Sequence, residues 1–225
     1  MTESDGKVKG YVDSIYCGSG VDGDGLRVVV FFCGCNLRCG FCHNPETLFK
    51  KGREVTVDEV VQRCLRYRGY IRRGGVTLSG GEPFLQKAFC LALVSELKKE
   101  NVNVAIETNG KITDEDLIKA ADSFIVDVKN QETDDLSAYE EFLSVCEREN
   151  KSVTLTNVLI PEVNGGKTTE LKTLKDAHGC VKRIKFLPFH KMCEEKYDAI
   201  GQPFLYKKYR EAENEDLDKA YDSVK

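Results

Sequence analysis

Phe31-Phe32-Cys33-Gly34-Cys35-Asn36-Leu37-Arg38-Cys39-Gly40-Phe41-Cys42-His43-Asn44-Pro45 is the run around which the chain is organised. It is entered from Arg27 to Phe32, a near-continuous apolar stretch of β-branched and aromatic residues, which predicts a strand buried on both faces of a parallel sheet. Just beyond, Cys35, Cys39 and Cys42 stand at the spacing C-x3-C-x2-C, and three thiolates on one loop make a metal site. A 4Fe-4S cluster ordinarily takes four cysteines, so a loop offering three leaves one iron with an open position that a substrate can fill. A zinc knuckle is the alternative, with Cys33 and Cys35 as one pair and Cys39 and Cys42 as the other, although structural zinc sites usually draw their pairs from separated segments.

The 225 residues, 41% hydrophobic and 31% charged, suit one compact domain with a core of ordinary size. Net charge is −4 and Lys and Arg are scattered, so no electrostatic footprint for nucleic acid is present. Met1 to Gly10 is polar, and the longest apolar run, near Val28, is far too short to span a bilayer; a cytoplasmic protein without membrane contact is expected. Ten cysteines in such a chain point to a reducing compartment and to metal or thiol chemistry rather than a disulfide scaffold. Cys64, Cys90 and Cys146 fall among apolar neighbours in helical patterns and read as core. Cys17, Cys33, Cys180 and Cys193 form no C-x2-C pair, so a second cluster has no cradle.

Working outward, Gly10 to Ile15 predicts a peripheral first strand and Cys17 to Gly25 a glycine-rich loop. After the first buried strand, Thr56-Val57-Asp58-Glu59 is a capping box opening a helix with Val60, Val61, Cys64 and Leu65 on one face. The unit recurs. Val76 to Leu78 precedes a helix over about Leu85 to Lys99, with Leu85, Phe89, Leu93 and Leu97 on one face and Asn101 as its stop. Val102 to Ile106 is the third strand, with Thr113 capping a short helix. Phe124 to Val128 is the fourth, followed by a capping box at Ser137-Ala138-Tyr139-Glu140. Val153 to Ile160, broken by Pro161, is the fifth; Leu171 and Leu174 mark a short helix; Val181 to Leu187 is the sixth. Glu211 to Lys225 predicts a charged surface helix or tail. About six βα units in series imply an α/β fold, and a partial TIM-like (β/α)6 barrel with parallel strands and an open mouth is expected over a doubly wound sheet. The reason lies in where the polar residues fall. Each predicted strand is followed at once by candidate chemistry, and a barrel gathers such residues at the carboxyl ends of its strands.

Those candidates are Ser79-Gly80-Gly81-Glu82-Pro83 after the second strand, Glu107-Thr108-Asn109-Gly110 after the third, Asp127 and Lys129 at the fourth, Asn157 on the fifth and His190 after the sixth. Each has a plain structural reading: a strand-to-helix turn for the glycines and Pro83, solvated loop acids for Glu107 and Asp127, a neutralising cation for Lys129, a structural loop residue for His190.

Taken together they resemble a known family. The cysteine triad with an aromatic residue, Phe41, before its last member resembles the radical S-adenosylmethionine (SAM) superfamily, and Cys42-His43-Asn44-Pro45 resembles the pyruvate formate-lyase activating enzymes within it. The likeness runs from about Gly10 to Gly201. Asp22, Gly25 and Arg27 match the family's N-terminal segment, with Asp24 in place of its Pro. The resemblance implies one 4Fe-4S cluster on Cys35, Cys39 and Cys42, and SAM held by Gly80, Gly81 and Glu82. It implies contacts to SAM or a nearby monovalent cation from Glu107, Thr108, Asp127 and Lys129, with Phe41, Asn157 and His190 also beside the cofactor. Thr156 stands where the family often has Arg, a departure that bears on how the SAM carboxylate would be held. The implied reaction is reductive cleavage of SAM to methionine and a 5′-deoxyadenosyl radical, which takes a hydrogen from a glycine of a partner glycyl radical enzyme. A flavodoxin- or ferredoxin-like protein would supply the electron. Only Cys64 lies between His43 and Ser79, which indicates the short, single-cluster type. A radical SAM enzyme acting on a small molecule, such as a 7-carboxy-7-deazaguanine synthase, is the rival enzyme reading, and a zinc-binding module without catalysis the rival of another class.

Overall fold

The computed structural model describes residues 7–49, 51–131, 133 and 135–225, so the polar reading of the first residues lies in large part outside the described chain. These residues form two compact units. One takes the chain up to Asn36 together with Thr47–Thr108 and Asp114–Ile125; the other takes Leu37–Glu46, Asn109–Thr113 and Val126–Lys225.

In the first unit, β1 (Lys9–Ser19) pairs antiparallel with β2 (Arg27–Phe32) on one side and with β3 (Arg53–Thr56) on the other. Inward from there the pairing is parallel, β2 with β4 (Gly75–Gly80) and β4 with β5 (Val104–Thr108). Val28, Val29, Val30 and Phe32 of β2 are wholly buried, as are Val76 and Leu78 of β4 and Val104 and Ile106 of β5. Burial on successive residues, rather than alternate ones, is what a parallel strand covered on both faces requires. The covering helices are α1 (Val57–Leu65), α2 (Lys87–Lys99) and α3 (Glu115–Ala120). Phe89 of α2 meets Phe32 edge-on at 5.6 Å. The same ring lies against Gly10, where a Cβ would fall 2.3 Å from it.

The chain passes into the second unit within β6 (Ser123–Asp127). There α4 (Ser137–Arg148) buries Tyr139, Phe142, Leu143 and Cys146, and β7 (Ser152–Leu159) pairs in parallel with β8 (Val181–Pro188). Between these strands lie α5 (Pro161–Asn164) and α6 (Thr169–Ala177). Beyond β8 come α7 (Glu194–Ala199) and α8 (Asn214–Ser223). The charged C-terminal stretch is thus a helix. It is docked, with the Phe186 N–H donating to Tyr221 Oη at 3.2 Å and the two rings T-shaped at 5.2 Å.

The α/β class with parallel strands is the one expected, and β3 and β8 each have a neighbouring strand on one side only, so the sheet is not closed. Local departures have physical causes. Cys17 to Ser19 continues β1 instead of looping, because Cys17 and Ser19 pair with Val28 and Arg27. β3 is an addition, a four-residue edge strand in which only Val55 is buried. Leu85 is 48% exposed, because the chain makes a 3-10 turn over Pro83–Gln86 before α2 begins. The cap of α3 is Asp114, not Thr113: its carboxylate accepts the Leu117 N–H at 3.0 Å, where an anion also suits the helix dipole. No capping box forms at Ser137, which is already helical; Asp135 Oδ1 takes its N–H at 2.9 Å. The box at Thr56 and Glu59 is present, and Asn101 stops α2 with φ of 57°. Among the described residues no helix is long and apolar enough to cross a membrane.

Candidate functional site

The first unit carries Cys35 on the segment leaving β2. Gly34 N–H donates to Thr47 O at 2.8 Å and Cys35 N–H to Leu48 O at 3.3 Å, so the backbone on either side of the intervening loop is tied together. The exit of β4 presses on the same segment. Gly81 N–H donates to Phe32 O at 2.9 Å and Glu82 N–H to Gly34 O at 2.8 Å. A Cβ on Gly81 would lie 2.1 Å from Gly34 O, and Gly80 adopts φ of 107°, so both glycines are required by the approach. Glu82 is wholly buried, and its Oε1 accepts from Thr108 Oγ1 at 2.9 Å and from Phe84 N at 3.1 Å. Glu107 accepts from Ser79 Oγ at 2.5 Å. Cys33 packs under the loop against Gly52, and burial raises its thiol. Arg27, 2% exposed, holds Asp24 O at 3.1 Å, Val76 O at 2.7 Å and Thr77 Oγ1 at 2.6 Å. It anchors the glycine-rich loop from below.

The second unit carries the other two cysteines. Cys42 N–H donates to Cys39 O at 3.2 Å, closing a tight turn around Phe41. That ring is 2% exposed, meets Tyr206 edge-on at 5.5 Å, and has the Lys129 ammonium 5.3 Å from its centroid. A side chain on Gly40 would collide with Tyr206 at 2.6 Å. Lys129 pairs with Asp127, and both side chains are mostly buried. Burial alone would lower the ammonium, but Asp127 and the Cys39 and Cys42 sulfurs outweigh it and hold it protonated well above the usual lysine range. Its backbone N–H is fixed by Tyr139 Oη at 2.7 Å. Two polar atoms here are buried with no partner among the described residues, Asp127 Oδ1 and Thr156 Oγ1.

His190 lies in the same unit, its ring stacked on His43 at 4.2 Å. His43 Nε2 is 3.2 Å from His190 O, and because a carbonyl only accepts, Nε2 carries the hydrogen. Burial, then the neighbouring His190, lowers His43 to about 4, so the imidazole is neutral. Asn157 is placed differently. Its side chain is fully buried, donating to Val128 O at 2.7 Å and Asn130 Oδ1 at 2.9 Å while accepting from Asn164 at 3.0 Å.

Within each unit, then, the expected residues gather. Cys35, Gly80, Gly81 and Glu82 form one group, with Glu107 and Thr108 bonded to its edge; Cys39, Phe41, Cys42, Asp127 and Lys129 form the other, with His190 reached through His43. The carboxylate of Glu82 and the amide of Asn157 are engaged inside the fold. Sequence reasoning missed Lys196 of α7, whose Nζ donates to His43 O at 3.0 Å, Asn44 Oδ1 at 2.9 Å and Glu46 Oε1 at 2.7 Å. All three ammonium hydrogens thereby grip the residues that follow the last cysteine.

Comparison with known proteins gives a consistent picture. Residues 21–146 match the family model described as a 4Fe-4S single cluster domain. The chain is 32% identical to the pyruvate formate-lyase-activating enzyme of Clostridium pasteurianum over 228 residues, 94% of either chain. It is likewise 32% identical to the enzyme of that name from Staphylococcus epidermidis, over 95% of this chain and 94% of that one. Among solved structures, QueE from Escherichia coli superimposes with a TM-score of 0.50 over 84% of this chain and 99% of that chain, at 14% identity, a likeness of fold alone.

Proposed function

This chain belongs to the family of pyruvate formate-lyase-activating enzymes, radical SAM proteins with a single 4Fe-4S cluster domain, and on that premise we propose that it takes a hydrogen atom from a glycine of a partner glycyl radical enzyme. The observation that carries the reading is the pair of buried unpartnered atoms beside the lysine: Asp127 Oδ1 and Thr156 Oγ1 have no hydrogen-bond partner among the described residues, and a polar cofactor bound here would supply one to each. The donor set fits the implied groups as well, with three cysteines on one loop for three irons and a glycine pair that admits close backbone approach.

Cys35, Cys39 and Cys42 would ligate the cluster. When bound, cluster and SAM together supply a one-electron cleavage of the sulfonium and a carbon radical strong enough to take hydrogen from a glycine Cα. The chain's own residues bind and orient. Lys129, kept charged, would meet the cofactor's anionic end, a role that gains weight because Thr156 stands where the family often has Arg. Thr156 Oγ1 and Asp127 Oδ1 offer one hydroxyl and one carboxylate oxygen, the latter also suited to a monovalent cation. Glu82, committed to Phe84 and Thr108, shapes the glycine turn so that its backbone faces the ligand. Asn157 holds Val128, and so the backbone leading to Lys129. His43, neutral, carries His190. A small one-electron protein of the flavodoxin or ferredoxin kind is the proposed donor.

Anaerobic reconstitution with iron, sulfide and reductant, followed by SAM and pyruvate formate-lyase, tests this. A glycyl radical seen by electron paramagnetic resonance, with 5′-deoxyadenosine formed alongside, is expected. SAM cleavage that consumes a small molecule and never generates a radical on a protein glycine would overturn the assignment of partner; colourless protein with stoichiometric zinc would overturn the whole.

A further inference from the structure

Among the described residues, one stretch of the sheet's edge has no strand along it. β1 keeps β2 beside it as far as Ser19, but on its other side β3 pairs only with Lys9 to Val12. β1 is irregular at two points, between Val12 and Ser14 and between Cys17 and Ser19. Ser14 to Cys17, between them, keep an even register against Val28 to Phe31. Bulges ordinarily blunt an edge; here they bracket a regular piece of one. Alternate residues of that piece point their N–H and C=O away from β2, and among the described residues no side chain bonds to its backbone there.

Beside the open edge lies a cavity of about 420 Å³, walled on its far side by α1. Asp13, Ser14 and Ile15 line it with the buried Val12, Val55 and Val60. Its charges divide along the helix. Glu59 is committed, to the Thr56 N–H at 2.8 Å and to Arg53 at 3.5 Å, and Asp13 and Asp58 keep that part of the lining acidic. Further along α1 come Arg63 and Arg66, three residues apart and so on one face. Neither guanidinium has an ion pair or a hydrogen bond among the described residues. Backbone and charge together specify an occupant. Free N–H and C=O groups on an edge complement another extended backbone, and β3 already uses the same edge at Lys9 to Val12. Two neighbouring guanidiniums select a carboxylate.

We propose that Ser14 to Cys17 of β1, with Arg63 and Arg66 of α1, form a docking site for an extended segment of a partner protein bearing a carboxylate side chain. The segment adds a strand in line with β3, bonds through its backbone to the open edge, and places its carboxylate against the two arginines. All of these residues lie in the first unit and none belongs to the cysteine triad, so the proposal stands apart from the proposed function.

The probe is a fluorescein-labelled octapeptide of alternating valine and glutamate, blocked at both ends and added to the full chain. Saturable binding by fluorescence anisotropy is expected, with slowed hydrogen exchange at Ser14 to Cys17. Methylating every amide nitrogen of the peptide, or replacing its glutamates with lysine, should each weaken binding by about tenfold or more. Arg63→Gln combined with Arg66→Gln should weaken it likewise while the thermal midpoint and SAM cleavage stay at wild-type values, because both side chains are exposed. No saturable binding at roughly 1 mM peptide would overturn the proposal. Equal binding of the methylated peptide, or of the wild-type and doubly substituted proteins, would overturn it too. A full chain that sediments as a dimer, with Ser14 to Cys17 protected only in the dimer, would assign the edge to a second copy and overturn it as well.

Discussion

The two units treat their buried polar atoms in opposite ways. In the first, the buried polar side chains near the candidate site are bonded to their neighbours: Glu82 to Thr108 and Phe84, Glu107 to Ser79, Arg27 to Thr77 and three backbone oxygens. In the second, Glu46, Asp127, Gln131, Thr156, His178 and Tyr197 each hold a buried atom without a hydrogen-bond partner, and among the described residues no such atom lies in the first unit. Leaving such an atom unsatisfied is destabilising by about 1–3 kcal/mol. A fold carries that cost where a ligand relieves it, so the proposed site has its unmet polar atoms at Asp127 and Thr156 of the second unit, while the polar side chains of the first read as finished.

The sharpest way to break this contrast is at the cysteines. Replacing any one of Cys35, Cys39 or Cys42 with Ala should abolish 5′-deoxyadenosine formation from SAM, whereas Cys64→Ala, in the finished unit, should retain it; an active Cys39→Ala protein would sink the assignment. Next comes Lys129→Met, which leaves the Asp127 carboxylate buried and unpaired and should cost about 3 kcal/mol of stability in urea unfolding. Adding Asp127→Asn to it should restore most of that loss, and no recovery would mean the ion pair is not the cause.

A matched pair of Thr→Val changes then compares the units directly. Thr77 Oγ1 receives Arg27 Nε at 2.6 Å and donates to Asp22 O at 2.6 Å, so Thr77→Val should cost about 2 kcal/mol. Thr156→Val removes a hydroxyl with no partner and should leave the metal-free protein within about 0.5 kcal/mol of wild type while weakening SAM binding several-fold. Equal destabilisation by the two substitutions would erase the distinction.

Much of this was legible in the residues. The βα rhythm could be read because buried parallel strands leave unbroken apolar runs and because the cap at Thr56 is local chemistry. What escaped has a common cause. β3 exists through its pairing with β1, not through its own Arg-Glu-Val-Thr sequence, and Leu85 is exposed because Gln86, bridging Tyr11 and Cys33 with bonds of 2.7–3.0 Å, fixes the turn before α2. In the site the residue types were legible but not their engagements. Nothing in Gly-Gly-Glu says that the carboxylate faces inward, and nothing in the strand around Asn157 announces an asparagine network. Lys196 and Tyr197 sit in Glu194–Ala199, a short charged helix that reads as surface; only the fold shows that it grips the residues after Cys42.

The bonds from Gly34 to Thr47 and from Cys35 to Leu48 bear on how the protein matures. They make the intervening residues an excursion whose two ends stay joined, so the entropy of closing that loop is settled when the strands form and not when metal arrives. Metal loading would therefore fall on a loop whose ends are already joined. Iron and sulfide would then enter and leave without the chain having to open those two bonds, a route by which an air-sensitive centre could be rebuilt in place.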